Sequence, residues 1–302
     1  MITSLGSRAL HNILHRPKDA NKYDFGHVLI FGGSPGMVGA PLLAGEAALR
    51  MGAGLVTIAS DERAVSSLDR RVEEIMTLAI PSYAQPEKAL QKLAAFVVAR
   101  KVSAVIIGPG LQGEAAPLVR LFVSRLKLPI VLDAGGLAAF QSHLPELQEV
   151  TKQNNKVVIT PHSGEYIKLS GVAAANTVDI QEQAAQFANS YRLTLVLKGP
   201  RTLVAHPDGV TWQNDTGNPG MATAGTGDVL SGIIAGLLAQ GIDPAQAVEL
   251  GVHIHGLAGD RAARAKTEAG MIASDLIEFL PEALKVYESA SANSKQFSKH
   301  ND

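Results

Sequence analysis

From Val28 onward, short continuous apolar runs alternate with longer stretches whose apolar residues recur at helical spacing. Val28-Leu29-Ile30-Phe31 reads as a buried strand followed by a glycine-rich turn. Residues 40–51 have helical spacing, with Leu42, Leu43, Ala47 and Leu49 apolar, and Gly52 closes the run. Residues 55–59 form the next strand, and a long helix is expected after Pro86, up to about Arg100. Residues 104–107, 129–132, 157–160 and 194–198 read as further strands, each ending in a polar or glycine turn. Residues 202–206 and 210–214, joined by Pro207-Asp208-Gly209, read instead as a hairpin. After Asp228 the pattern is mainly helical.

Continuous apolar strands separated by helices predict an α/β fold with a mostly parallel sheet covered on both faces. No repeat or linker divides the chain, so residues 1–288 are expected to form one domain. Residues 289–302, rich in Ser, Asn and Lys, are expected to be a disordered tail. In such sheets ligands sit at the carboxyl ends of the strands. Every glycine-rich or polar segment discussed below follows such an end, which predicts one shared cleft.

Composition narrows the chemistry. The 302 residues contain no cysteine, which excludes disulfides, thiolate metal sites and cysteine nucleophiles. With 27 basic against 28 acidic residues and no basic stripe, nucleic acid is not an expected partner. The first 16 residues lack the apolar core of a leader, and no stretch is long enough to span a bilayer, so a soluble cytoplasmic enzyme is expected.

The most informative stretch runs from Asn214 through Thr216-Gly217-Asn218-Pro219-Gly220-Met221-Ala222 to Gly225-Thr226-Gly227-Asp228. Small residues lead to one acid that opens an apolar helix. The first N–H groups of a helix lack internal partners and bind anions. Gly225, Thr226 and Gly227 therefore predict an amide-lined anion hole for a phosphate. Asp228 is read as a general base that takes the proton of an attacking hydroxyl, and alternatively as a helix cap.

Five other segments bear on a site. Gly32-Gly33-Ser34-Pro35-Gly36-Met37-Val38-Gly39-Ala40 has the spacing of neither the dinucleotide fingerprint nor the P-loop, and reads as a substrate-binding turn. Asp61 follows the second strand as a ribose-binding acid would. Gly108-Pro109-Gly110-Leu111 is a strand-ending turn. Asp133-Ala134-Gly135-Gly136-Leu137 puts an acid at a strand end, to face a ligand or hydrated metal, or to cap the next helix. In Thr160-Pro161-His162-Ser163-Gly164-Glu165, His162 is read as a ligand contact. Glu165 either touches a hydrated Mg2+ or helps begin a helix running to Gly171. Lys198-Gly199-Pro200-Arg201-Thr202 offers a charge and backbone groups for a nucleotide phosphate, or is a charged turn. His253 and His255, two apart on a helix, point to different faces and do not form a metal pair. Asp260, Arg261 and Arg264 read as a solvated helix face, and Trp212 either packs or stacks on a base.

In this order the motifs resemble the nucleotide-dependent NAD(P)HX dehydratases of the ribokinase-like superfamily, from about Gly26 to Ala258. The resemblance implies a three-layer α/β/α sandwich. It implies removal of water from the S epimers of NADHX and NADPHX, reduced nicotinamide cofactors hydrated at ring carbon 6. ADP is the implied phosphoryl donor, releasing AMP and phosphate, with Mg2+ as cofactor. Ala40, Gly110, His162 and Asp228 would contact the hydrate. Lys198, Gly199, Pro200, Arg201, Thr202 and Gly227 would hold the AMP portion. An epimerase would be supplied by another protein, and the enzyme would be a homo-oligomer, on the pattern of tetrameric relatives. Two departures stand out: Gly135 replaces a second acid of the family's Asp-Ala-Asp-Gly, and Ser163 replaces a proline. The rival readings are a small-molecule kinase acting on a vitamin precursor or sugar alcohol, and a dinucleotide-binding oxidoreductase or nucleotide sensor. The last leaves the 198–202 and 225–228 segments without a task.

Overall fold

The computed structural model describes residues 16–172 and 177–297, with side chains of 177–179 and 288–297 left aside. The first 15 residues, read above for a leader, lie outside the described residues. Nine strands make one sheet: β1 (His27–Phe31), β2 (Leu55–Asp61), β3 (Met76–Ile80), β4 (Ala104–Ile107), β5 (Ile130–Leu132), β6 (Val157–Ile159), β7 (Thr194–Leu197), β8 (Leu203–Ala205) and β9 (Thr211–Gln213). Their order is β3-β2-β1-β4-β5-β6-β7-β8-β9. Pairing is parallel as far as β7, and β8 and β9 add the expected antiparallel hairpin.

The helices are α1 (Gly39–Arg50), α2 (Glu62–Leu68), α3 (Pro86–Ala99), α4 (Ala116–Arg125), α5 (Gly135–Ala138), α6 (Leu144–Gln153), α7 (Ser163–Ser170), α8 (Thr177–Tyr191), α9 (Thr226–Ala239), α10 (Pro244–Lys266) and α11 (Ala273–Phe297). Of the stretch expected to be a disordered tail, the backbone is helical through Phe297, and 298–302 lie outside the described residues. Strand β3 was not anticipated. It is an edge strand, half-buried along most of its length, and its Met-Thr-Leu-Ala-Ile sequence lacks the continuous branched run of the central strands.

Alternation along the strands divides the core. Val28, Ile30, Val56, Ile58, Ala104 and Ile106 face one way, against α1, α9, α10 and α11. Leu29, Phe31, Val105, Ile107, Ile130 and Leu132 face the other, against α3, α4, α6, α7 and α8. Both faces are covered, which is why the central strands are apolar throughout. The tightest helix pair is α1 with α9. A Cβ on Gly232 would lie 2.1 Å from the Ala44 carbonyl oxygen, so only glycine permits this approach.

Among the described residues no helix is long and apolar enough to cross a membrane.

Candidate active site

Beyond the carboxyl ends of the strands, five turns and one helix terminus come together. β1 leads into the turn before α1, with Ala40 as the second helical residue. β4 leads into Gly108-Pro109-Gly110. The two turns interlock: the Gly33 N–H donates to the Pro109 carbonyl at 2.8 Å. A Cβ on Gly110, where φ is +71°, would lie 2.3 Å from the Met37 carbonyl oxygen. These turns flank the point where strand order reverses, between β1 and β4, the usual crevice of an open α/β sheet.

β6 and β7 continue past their ends as an isolated bridge between His162 and Lys198, which sets the 160–165 and 198–202 segments side by side. His162 is the N-cap of α7. Its Nδ1 accepts from the Gly164 N–H at 3.0 Å, and Glu165 Oε2 accepts from the His162 N–H at 2.9 Å. Glu165 thus helps begin the helix, the second of its two readings. With Nδ1 accepting, the neutral His162 ring carries its proton on Nε2. The ring remains exposed, with its Nε2 3.6 Å from Glu165 Oε2.

Helix α9 starts at Thr226 behind Gly225, whose φ is +93° and whose side provides no cap. A Cβ there would lie 2.5 Å from Leu43. The Gly225 carbonyl accepts from Val229, so the N–H groups of Thr226, Gly227 and Asp228 have no acceptor within the helix. Thr226 is locked by its hydroxyl, which donates to the Met221 and Thr223 carbonyls. Asp228 is the third helical residue, not the cap. Burial, then the charge of Asp133, push its carboxyl up to about 7 against the pull of Lys198, with Glu165 adding to the rise.

Lys198 Nζ lies 3.2 Å from where a Gly227 Cβ would be, so glycine there leaves room for the ammonium. Burial disfavours its charge, but bonded Asp133, with Glu165 and Asp228 nearby, holds its pKa above the usual lysine value. Asp133 does not take the capping role, the second of its two readings. It is 2% exposed, and it accepts from Lys198 at 2.8 Å and from Ser231 Oγ at 2.7 Å.

A cavity of about 460 Å3 opens beside this group. Its walls include Lys198, Gly199, Pro200, Thr202 and Gly227 from the predicted set, with Thr226 at the helix start. Arg201 is exposed and does not line it. The cavity's other wall takes Thr216 to Asn218 and Met221 from the stretch the sequence singled out, and adds Val252, His255 and Gly256 of α10, which carried no ligand role there. Its signal was present as the small residues along α10, read only as a helix. Asp260 holds this wall without lining the cavity, and is half-buried rather than on a solvated face: it accepts from the Gly217 N–H and from Asn218 Nδ2, each at 3.1 Å. His255 Nε2 lies 2.9 Å from the Thr226 carbonyl. Burial pushes its pKa down to about 4, so it is neutral and donates there. His253 is lowered by burial too, and sits 3.9 Å from Asp215. Asp61 caps α2 by accepting from Arg63 and Ala64, and Trp212 packs on the core.

Among the described residues no group of three or more His, Asp and Glu side chains is arranged to hold a metal ion.

A family model described as NAD(P)H-hydrate dehydratase matches residues 28–282. The chain is 43% identical over 276 residues to a bifunctional NAD(P)H-hydrate repair enzyme of Moorella thermoacetica, covering 89% of this chain and 51% of that protein. The chain thus spans about half the length of such bifunctional relatives. It is 31% identical to an ADP-dependent (S)-NAD(P)H-hydrate dehydratase of Bacillus subtilis over 278 residues, 90% of this chain and 94% of that one. A crystal structure of the Bacillus subtilis ADP/ATP-dependent dehydratase, co-crystallised with ATP and Mg2+, superposes with a TM-score of 0.76 at 30% identity, covering 93% of this chain and 97% of that one. The sheet with its two helical layers is the ribokinase-like three-layer α/β/α sandwich.

Proposed function

The chain belongs to the NAD(P)H-hydrate dehydratase family, and from that premise we propose that it dehydrates (6S)-NADHX and (6S)-NADPHX at the expense of ADP. The observation that carries this reading is a carboxylate titrating near neutrality beside a helix N-terminus whose free amides border a nucleotide-sized cavity. A base at about 7 is deprotonated often enough to act and basic enough to take a hydroxyl proton.

The proposed sequence balances as follows. Asp228 accepts the proton of the 6-hydroxyl while that oxygen attacks the β-phosphorus of ADP, and the bond to the AMP oxygen breaks. Charge gathering on the transferred group is met by the amides of residues 226–228 and by the Lys198 ammonium. The ring nitrogen's lone pair then expels phosphate from carbon 6. Loss of a ring proton restores the reduced nicotinamide. ADP would lie in the cavity along Lys198, Gly199, Pro200, Thr202 and Gly227. The hydrate would lie across Ala40, Gly110 and His162, whose Nε2–H is a donor to a phosphate or amide oxygen. Arg201, pointing outward, would act at most on the nucleotide's rim. Mg2+ would arrive on the nucleotide's phosphates with its waters, which needs no protein cage.

One catalytic domain, an NAD(P)HX epimerase as functional partner, a cytoplasmic setting beside the reduced cofactor pool, and assembly as a homo-oligomer complete the reading. The test is incubation with hydrated cofactor and either ADP or ATP, following the reduced-nicotinamide absorbance and free phosphate. Return of absorbance with one phosphate per turnover supports the reading. A stable phosphorylated product would make the protein a small-molecule kinase instead.

A further inference from the structure

We infer that Asp133 is a positioning residue of the phosphoryl-transfer centre: its carboxylate pins the Lys198 ammonium against Gly227, so that the centre carries a fixed cation of its own beside Asp228. The inference rests on the dehydratase reading for its chemistry, and on geometry for the pair itself.

Asp133 follows β5 and Lys198 follows β7, two strands away in the sheet. Oδ1 of Asp133 accepts from Lys198 Nζ at 2.8 Å and from the Ala134 N–H at 2.9 Å. Oδ2 accepts from Ser231 Oγ at 2.7 Å, and Thr160 Oγ1 stands 3.4 Å behind that hydroxyl. Ser231 is fully buried one turn after Asp228 on α9, so the carboxylate ties β5, β7 and α9 together at one point. Both oxygens are engaged inside the protein, unlike those of an acid awaiting a ligand.

The local backbone is bent to permit this. Ala134 has φ +43° and ψ −115°, a conformation that side chains other than glycine avoid. The bend turns its N–H back onto the Asp133 carboxylate. Strain of this kind persists where the surroundings over-determine it, and it clusters at functional sites.

The ammonium so held is 20% exposed and lines the nucleotide cavity. It can therefore meet a phosphoryl oxygen without first travelling, which is the value of preorganised charge. The charged groups facing Asp228 are Asp133, Lys198 and Glu165. Asp133 repels the Asp228 carboxylate and also keeps Lys198 from closing onto it as a salt-bridge partner. Both effects keep Asp228 basic.

The test uses the full chain carrying Asp133→Asn, which preserves shape and removes the charge. The expected result is a fall in kcat of at least about tenfold, with the acid limb of the pH–rate profile moved down by about one pH unit. An unmoved limb in a folded variant overturns the proposal, because a purely structural role would lower Tm and leave the limb in place. A second arm needs no activity. Lys198→Met strands Asp133 as an unpaired buried charge, so Asp133→Asn/Lys198→Met should melt higher than Lys198→Met alone. If the double variant melts lower, the pair is not what holds Asp133 in place. Absence of dehydratase activity in the unaltered protein would remove the functional reading, while the melting comparison would still report on the pair.

Discussion

At the first turn of α9 the helix dipole favours a negative charge, yet burial and the neighbouring Asp133 push the Asp228 carboxyl up to about 7. Two consequences follow from that one number. Activity should rise as pH climbs through about 7, because the base must be unprotonated. Asp228→Asn should lower turnover by about 10²–10⁴-fold while ADP still binds, checked by steady-state kinetics and a nucleotide titration. Full activity in this variant would remove the base assignment. The second consequence concerns stability. The folded pKa lies above the unfolded value of 3.8, so between about 4 and 7 the folded state holds a proton that the unfolded state has lost. Stability from this group is therefore present below the unfolded pKa and is lost as pH rises through that window. Asn carries no such dependence. Asp228→Asn should melt higher than the unaltered protein at about pH 8, by roughly 2–4 °C for each kcal/mol recovered, with the gap closing towards about pH 4. A gap that widens on acidification would reverse the sign of the argument.

The elements differ in how far their roles can be read from local sequence. The helix start at Gly225-Thr226-Gly227-Asp228 was legible because its geometry is local: the cap, the free amides and the acid lie within four residues. The central strands were legible because both of their faces are covered, and the hairpin because its turn residues stand between short strands. Edge strand β3 was missed, as were α2, α4, α6 and α8; α6 nevertheless sets buried Leu147 and Val150 against exposed polar residues, so its helical pattern stood in the sequence unread. Asp133 was ambiguous because its meaning depends on a partner 65 residues away. The wall formed by α10 was hidden for the same reason. Its Gly256 and Asp260 act through the 214–221 segment and its His255 through Thr226, and nothing within α10 names either partner. The wall makes its own prediction. A Cβ on Gly256 would lie 2.1 Å from Thr216 Oγ1, whose hydroxyl is already tied to Asn214 and the His253 carbonyl. Gly256→Ala must move the Thr216 side of the cavity, and overpacking of this kind costs about 1–3 kcal/mol. Taken from nucleotide affinity, that is a rise in the ADP Kd of about 5- to 150-fold, measured by calorimetric titration. An unchanged Kd would place the nucleotide away from this wall.

Across the whole molecule the candidate site belongs to no single segment. It gathers turns after β1, β4, β5, β6 and β7, and the start of α9, a helix that packs on α1 through glycine. A ligand seated there touches parts of the chain that separate when the fold opens, so it binds the native state and not the unfolded chain. With 27 basic and 28 acidic residues the molecule has almost no net field to draw in an anionic nucleotide. Affinity must then come from the half-buried ammonium and the helix amides, which salt screens weakly. ADP at about 100 times its Kd should stabilise the fold by about 2.7 kcal/mol. A differential scanning measurement would show Tm rising by several degrees, and raising the salt to about 0.3 M should leave most of the rise intact. In Lys198→Met the rise should largely vanish, because the amides alone face the phosphates without a fixed countercharge. A full shift in that variant would assign the nucleotide's grip to the helix terminus and strip the lysine of its part.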